Sequence, residues 1–137
     1  MSEASLAAQR VAVMAMRSRP ALLDLVPSAN IFDRHTRPEI FPCVIVGEAQ
    51  TVADEAECVD GSEVYLTMHV WTRENSFVDC KSIAGEIRRA LKDVSEIQDG
   101  IACDFYFEDS NFMRDPGGEL SHGVVQFQVT CEDMVAI

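Results

Sequence analysis

A histidine stands at position 122, four residues behind a glycine pair in the stretch RDPGGELSHGVVQF, and two more stand at 35 and 69. Glycines at that density can cradle a phosphate, but only where a strand leads in and a helix N-terminus follows to aim its amides at the anion. Here the residues after the glycines alternate with a period of two, so a strand follows instead and the spacing predicts a β-hairpin. Asp115 and Pro116 suit the first positions of its turn, and Gly117 or Gly118 supplies a left-handed residue. A catalytic histidine needs a nucleophile or a second acid–base group within hydrogen-bond reach. The chain has no GxSxG, no HExxH and no HxE followed by PCxxC, and its histidines lie far apart in sequence. His122 therefore reads as a polar outer-face residue at the mouth of a hairpin. The expectation is a protein that is not an enzyme and has no cofactor, unless distant residues converge.

The other reactive side chains are five cysteines, at 43, 58, 80, 103 and 131. No CxxC pair occurs, and zinc sites draw on close pairs, so no metal centre is expected. Cys43, Cys80, Cys103 and Cys131 fall at apolar positions of predicted elements and read as small buried hydrophobes. Cys58 lies in the acidic stretch DEAECVDGSE and is expected to be exposed. In an oxidising medium it could bond to a neighbouring subunit.

The elements that must position these residues fit a single domain spanning 1–137, since a core of this size is self-sufficient. Ser2 to Arg17 predicts a first helix with Leu6, Val13 and Met16 on one face, ended by Pro20, with one short further turn over ALLDLV before Pro27. IFD at 31–33 predicts a short strand and PCVIVGEAQT at 42–51 a stronger one. Asp60-Gly61 favours positive φ and a tight turn. In EVYLTMHVWT, Val64, Leu66, Met68 and Val70 fall on one face and Tyr65, Thr67, His69 and Trp71 on the other. Phe77, Cys80, Ala84, Ile87, Leu91 and Val94 line one side of a second helix over about 76–93. Ile101, Cys103, Phe105 and Phe107 alternate inward, as do Val125, Phe127, Val129 and Cys131, and DPGG joins the two strands. Trp71 on the outer face either covers the neighbouring strand or anchors an interface.

Charge is unevenly placed. Of the formal −12, residues 41–75 carry −6 and residues 100–137 carry −6, while 1–40 and 76–99 together sum to zero. That argues against binding nucleic acid by phosphate neutralisation. No apolar run is long enough to span a bilayer, and no basic region leads into an apolar signal core, so a soluble chain made in the cytoplasm is expected, with no membrane contact.

Three stretches, in order and together covering nearly the whole chain, resemble the tail-terminator or tail-completion proteins of tailed bacteriophages and gene transfer agents. They are IFDRHTRPEIFPCVIVGEAQ, LTMHVWTRENSFVDCKSIAGEIRRALKD and FMRDPGGELSHGVVQF. The chain departs from the family pattern at Glu74-Asn75, where a glycine is common, and in its high cysteine count. The resemblance implies an α+β subunit, with a largely antiparallel sheet of four to five strands and two main helices packed on one face. It further implies a homo-oligomer, a hexameric ring in the virion neck, assembled in the host cytoplasm. Such a ring stops growth of the tail tube, meets the tube protein, joins the head–tail connector or stopper, meets a sheath protein where the tail is contractile, and lets DNA pass. Trp71, Arg73, Arg114, Asp115 and His122 are the interface candidates. Because symmetry multiplies any basic residue facing the lumen into a phosphate-binding collar, Glu48, Asp54, Glu55, Glu57 and Asp60 are candidate lumen or rim acids, the alternative being a merely solvated surface. Competing readings are another neck or head-completion connector protein, or a small cytosolic binding module with a ferredoxin-like sheet that uses Tyr65, His69 and Trp71.

Overall fold

The computed structural model describes residues 3–33, 40–54, 60–74 and 76–134. Helix α1 covers Ala4–Arg17, α2 is a single turn over Pro20–Leu23, and a 3-10 turn at Ser28–Asn30 leads into β1 (Ile31–Phe32). Strands β2 (Cys43–Ala53) and β3 (Gly61–Thr72) follow, then helix α3 (Val78–Leu91), β4 (Ser95–Gln98), β5 (Ile101–Arg114) and β6 (Ser121–Asp133). The sheet has six strands in the order β1-β2-β3-β6-β5-β4. Only β1 runs parallel to its neighbour; every other pairing is antiparallel.

The sixth strand corrects the sequence expectation of four to five. β4 has only four residues and carries no alternation of its own, and it forms because Asp99 and Gly100, at φ 54° and 78°, make a two-residue turn that folds it back on β5. A second correction concerns Asp60-Gly61. Gly61 is the first residue of β3 and does not have positive φ; glycine is needed there because a Cβ would sit 2.6 Å from the Asp54 carbonyl oxygen. The third concerns α1, whose buried stripe is Ala7, Ala8, Val11, Ala12 and Met16, while Leu6 is largely exposed. Alanines complete that face because they let the helix lie close on the sheet; of the larger residues expected there Met16 is fully buried, Val13 packs at the edge of the core, and Leu6 lies off the stripe.

One core joins the helices to the inner face of the sheet. Val64, Leu66, Met68 and Val70 from β3 meet Phe105, Val125, Phe127 and Val129 from the hairpin, with Cys80, Ile83, Ala84, Ile87 and Leu91 of α3 above them. Each larger apolar side chain there contributes about 1.5–3 kcal/mol before entropy is charged against it. The hairpin turn forms as expected, with Gly118 at φ 77° donating to the Asp115 carbonyl at 2.8 Å. Gly123 admits α3 against β6: a Cβ there would fall 3.0 Å from Cys80 Sγ and 3.1 Å from the Phe112 ring.

The start of α3 is secured by residues that a turn glycine would not supply. Glu74 Oε1 accepts the amides of Asp79 and Cys80, both at 3.1 Å. The fully buried Ser121 hydroxyl donates to the carbonyl of Ser76 at 3.1 Å, tying the same turn to β6.

Candidate assembly interface

Strand register builds the site on the outer face of the sheet. Cys43 of β2 stands opposite Trp71 of β3, Trp71 opposite His122 of β6, and His122 opposite Met113 of β5, so these four form one row across four strands. Side chains directly opposite each other on paired strands share a face. The Trp71 and His122 rings stack with centroids 3.9 Å apart and planes 8° apart. His69, two residues before Trp71, takes the other side of His122, with centroids 5.0 Å apart.

A hydrogen-bonded chain runs through this stack. Glu48 Oε1 lies 2.6 Å from His69 Nε2, and His69 Nδ1 lies 2.7 Å from His122 Nε2. An ionised carboxylate can only accept, so His69 carries its proton on Nε2, its Nδ1 is then an acceptor when the ring is neutral, and His122 donates from Nε2. The bond to His69 pulls the Glu48 carboxyl below its usual range. Burial, and then the charge of His69, lowers His122 to about 4, so it is neutral at physiological pH. Gly47 makes the arrangement possible: at the bulge where β2 shifts register, a Cβ would come within 2.6 Å of His69 Cδ2.

This convergence could have been an acid–base site, and the neighbouring groups do not make it one. The thiol in the same row, Cys43, is raised to about 11 by burial, the wrong direction for a nucleophile. Ser121 is fully buried and occupied by the carbonyls before α3. Among the described residues no group of three histidines, cysteines or acids could hold a metal ion. What this face offers is a stack of three rings, Trp71, His122 and His69, in which His122 is held against both others.

The remaining interface candidates lie at the same end of the sheet. Arg114 pairs with Ser121, one position beyond His122, and its guanidinium sits over the Phe77 ring at 4.5 Å. Arg73 follows β3 and sits over Phe41 at 4.7 Å, beside a surface cleft of about 540 Å³ that Asp24 and Asp79 also line. Asp115 closes the hairpin, its amide donating to Leu120 at 3.0 Å. Trp71, Arg73, Arg114, Asp115 and His122 thus share one end of the sheet, but Arg114, paired with the inward Ser121 and set over Phe77 before α3, lies on the helix face, opposite the stack of Trp71 and His122.

The five acids are not gathered in one place. Glu48 belongs to the histidine chain, while Asp54 and Asp60 stand at the far end of the β2–β3 pair, where Asp54 donates its amide to Gly61 and Asp60 accepts from Asp133. Glu55, Glu57 and Cys58, like His35, lie outside the described residues. Sequence reasoning had missed the link between Glu48 and His69; a Gly-Glu pair interrupting a strand was its only signal.

The model of the family described as tail completion protein gp17 matches residues 12–132. No curated protein matches the chain. Among solved structures, a chain of the virion of a native gene transfer agent particle superposes with a TM-score of 0.86 at 16% identity, covering 96% of this chain and 99% of that one. The gp17 protein of bacteriophage SPP1 superposes with a TM-score of 0.63 at 20% identity, covering 97% of this chain and 94% of that one. With a match running from the second half of α1 through the sheet, α3 and the hairpin, this chain belongs to the gp17 tail completion family, whose members are structural proteins of the virion tail and not enzymes.

Proposed function

We propose that the chain assembles with copies of itself into a hexameric ring at the head-proximal end of the tail tube, where it stops tube growth, joins the tail to the head connector and lets DNA pass. The observation that carries this reading is the stack of Trp71, His122 and His69 on the outer face of the sheet. Tryptophan is among the side chains most enriched at the energetic centre of an interface, and here its ring is held in place by His122. Family membership supplies the setting, and the strand-borne acids suit a ring that DNA crosses without being held. Only acids within about 8 Å of the channel would act at physiological salt.

The test is sedimentation and negative-stain microscopy of purified protein, alone and with tail tubes. Six copies of the 15.2 kDa chain give a closed ring of about 91 kDa. Trp71→Ala is expected to dissociate it while leaving the monomer folded. Wild-type protein that stays monomeric at tens of micromolar and on tubes would refute the ring.

A further inference from the structure

Cys103 and Cys131 are opposite residues on β5 and β6, with their sulfurs 3.9 Å apart. Both point into the core, Cys103 fully buried and Cys131 2% exposed. Directly opposed residues of an antiparallel pair have Cβ atoms roughly 4.5–5.5 Å apart, and a disulfide brings them to about 3.5–4.5 Å, so an approach of about 1 Å would join them. Both sulfurs are shielded from solvent, and the nearest opening is a cleft beside Cys131. Cys131 and Ile101 line a cleft of about 500 Å³ between the start of α1 and the ends of β2 and β3, and Cys103 sits one pleat beyond Ile101 on the same strand.

We propose that Cys103 and Cys131 form a redox site that a peroxide converts to an intramolecular disulfide, bonding β5 to β6. Peroxide enters by the cleft. The Cys103 thiolate attacks one peroxide oxygen, the O–O bond breaks, and the departing hydroxide takes up the proton released by Cys103, leaving a sulfenic acid and one water. The Cys131 sulfur then attacks Cys103 Sγ, the S–O bond breaks, and hydroxide leaves with the Cys131 proton as a second water. Two thiols are oxidised and one peroxide is reduced to two waters. The order follows from the contact itself: the Cys131 S–H donates to Cys103 Sγ, which favours the thiolate at Cys103 and keeps the proton on Cys131. Cys43 and Cys80, each raised to about 11 by burial, make poor competitors.

The monomer suffices for this chemistry, so it stands apart from the ring reading. Its place would be the passage of an assembled particle from the reducing cytoplasm to an oxidising exterior. The experiment treats reduced, reductant-free full-length protein with hydrogen peroxide, then alkylates in denaturant and maps the peptides by mass. The expected result is that two of the five thiols disappear, that the peptides holding Cys103 and Cys131 are joined, and that dithiothreitol restores both. Alkylatable Cys43 and Cys80 should be lost at least tenfold more slowly. In Cys131→Ser, which keeps a hydroxyl donor beside Cys103 but no second sulfur, Cys103 should gain a dimedone-trappable oxygen with no crosslink. The wild-type map decides even if that variant misfolds: all five thiols retained, or a link between any other two cysteines, overturns the proposal.

Discussion

Replacing Glu74 by alanine tests how α3 is held to the sheet. One carboxylate oxygen accepts the amides of Asp79 and Cys80 at 3.1 Å each, the second and third residues of the helix. Those amides have no partner within the helix, because the first turn always leaves its donors unpaired. Losing a capping side chain costs about 1–2 kcal/mol. Removing a negative charge from the positive end of the helix dipole adds about 0.3–1 kcal/mol. A chain of this size loses about 3–5 °C of melting temperature per kcal/mol, so Glu74→Ala should melt about 4–15 °C lower. Glu74→Gln keeps an acceptor and loses only the charge, which predicts a drop of about 1–5 °C. Calorimetry measures both, and hydrogen exchange should show the Asp79 and Cys80 amides losing protection before the rest of α3. If Glu74→Ala melts with the wild type, or Glu74→Gln is as damaging as Glu74→Ala, the cap is not what secures the helix.

Three further outcomes follow from the core and the histidine chain. His122, at about 4 in the fold against about 6.5 unfolded, binds fewer protons folded than unfolded between those values, so its contribution is present above pH 6.5 and is lost as pH falls toward 4. With its partial exposure allowed for, that is about 1–2 kcal/mol, and Glu48, also lowered, acts in the same direction at more acid pH. Urea unfolding at pH 7 and pH 4.5, followed by the lone tryptophan, should show the loss in wild type and a smaller one in His122→Gln. Gly47→Ala places a Cβ 2.6 Å from His69 Cδ2 and should cost about 1–3 kcal/mol, with a change in Trp71 emission as the stack is disturbed; unchanged emission and melting would refute the contact. Ile87→Ala, at a fully buried position, should cost about 2–5 kcal/mol in the same assay.

Periodicity made most of the fold legible. The alternation of Val64 to Val70 named buried residues, and of the helical series Phe77, Cys80, Ala84, Ile87, Leu91 and Val94 the middle four are buried, while Phe77 and Val94 are partly exposed and flank the helix. It failed where local pattern does not decide. β4 exists through the Asp99-Gly100 turn and its partner strand, with three of its four residues exposed. The inner face of α1 consists largely of alanines, which periodicity weighs little. The histidine chain was out of reach for a different reason: Glu48, His69 and His122 are 21 and 53 residues apart, and what joins them is a bulge in β2 together with the β3–β6 register. His122 was placed correctly on the outer face at the hairpin mouth, yet nothing in its neighbourhood along the chain announces its partners.

Register also decides what the charge distribution can do. Arg19 and Arg89 share Glu86, Arg10 holds Asp99, and Arg17 donates to the Ile31 carbonyl at 2.5 Å. Arg73, Arg88 and Arg114 lie over the rings of Phe41, Phe107 and Phe77, and Lys81 over Phe77 and Phe112. These cations are engaged within their own subunit, and a cation pinned to an aromatic face or a carboxylate loses part of what it could give a phosphate. Over the whole chain the acids outnumber lysine and arginine by twelve, so the net field is negative. In a ring this matters more than in a monomer, because rotational symmetry repeats each local imbalance around the axis. In a ring of the proposed kind, a subunit that spends its arginines on its own phenylalanines would suit a channel that does not retain DNA.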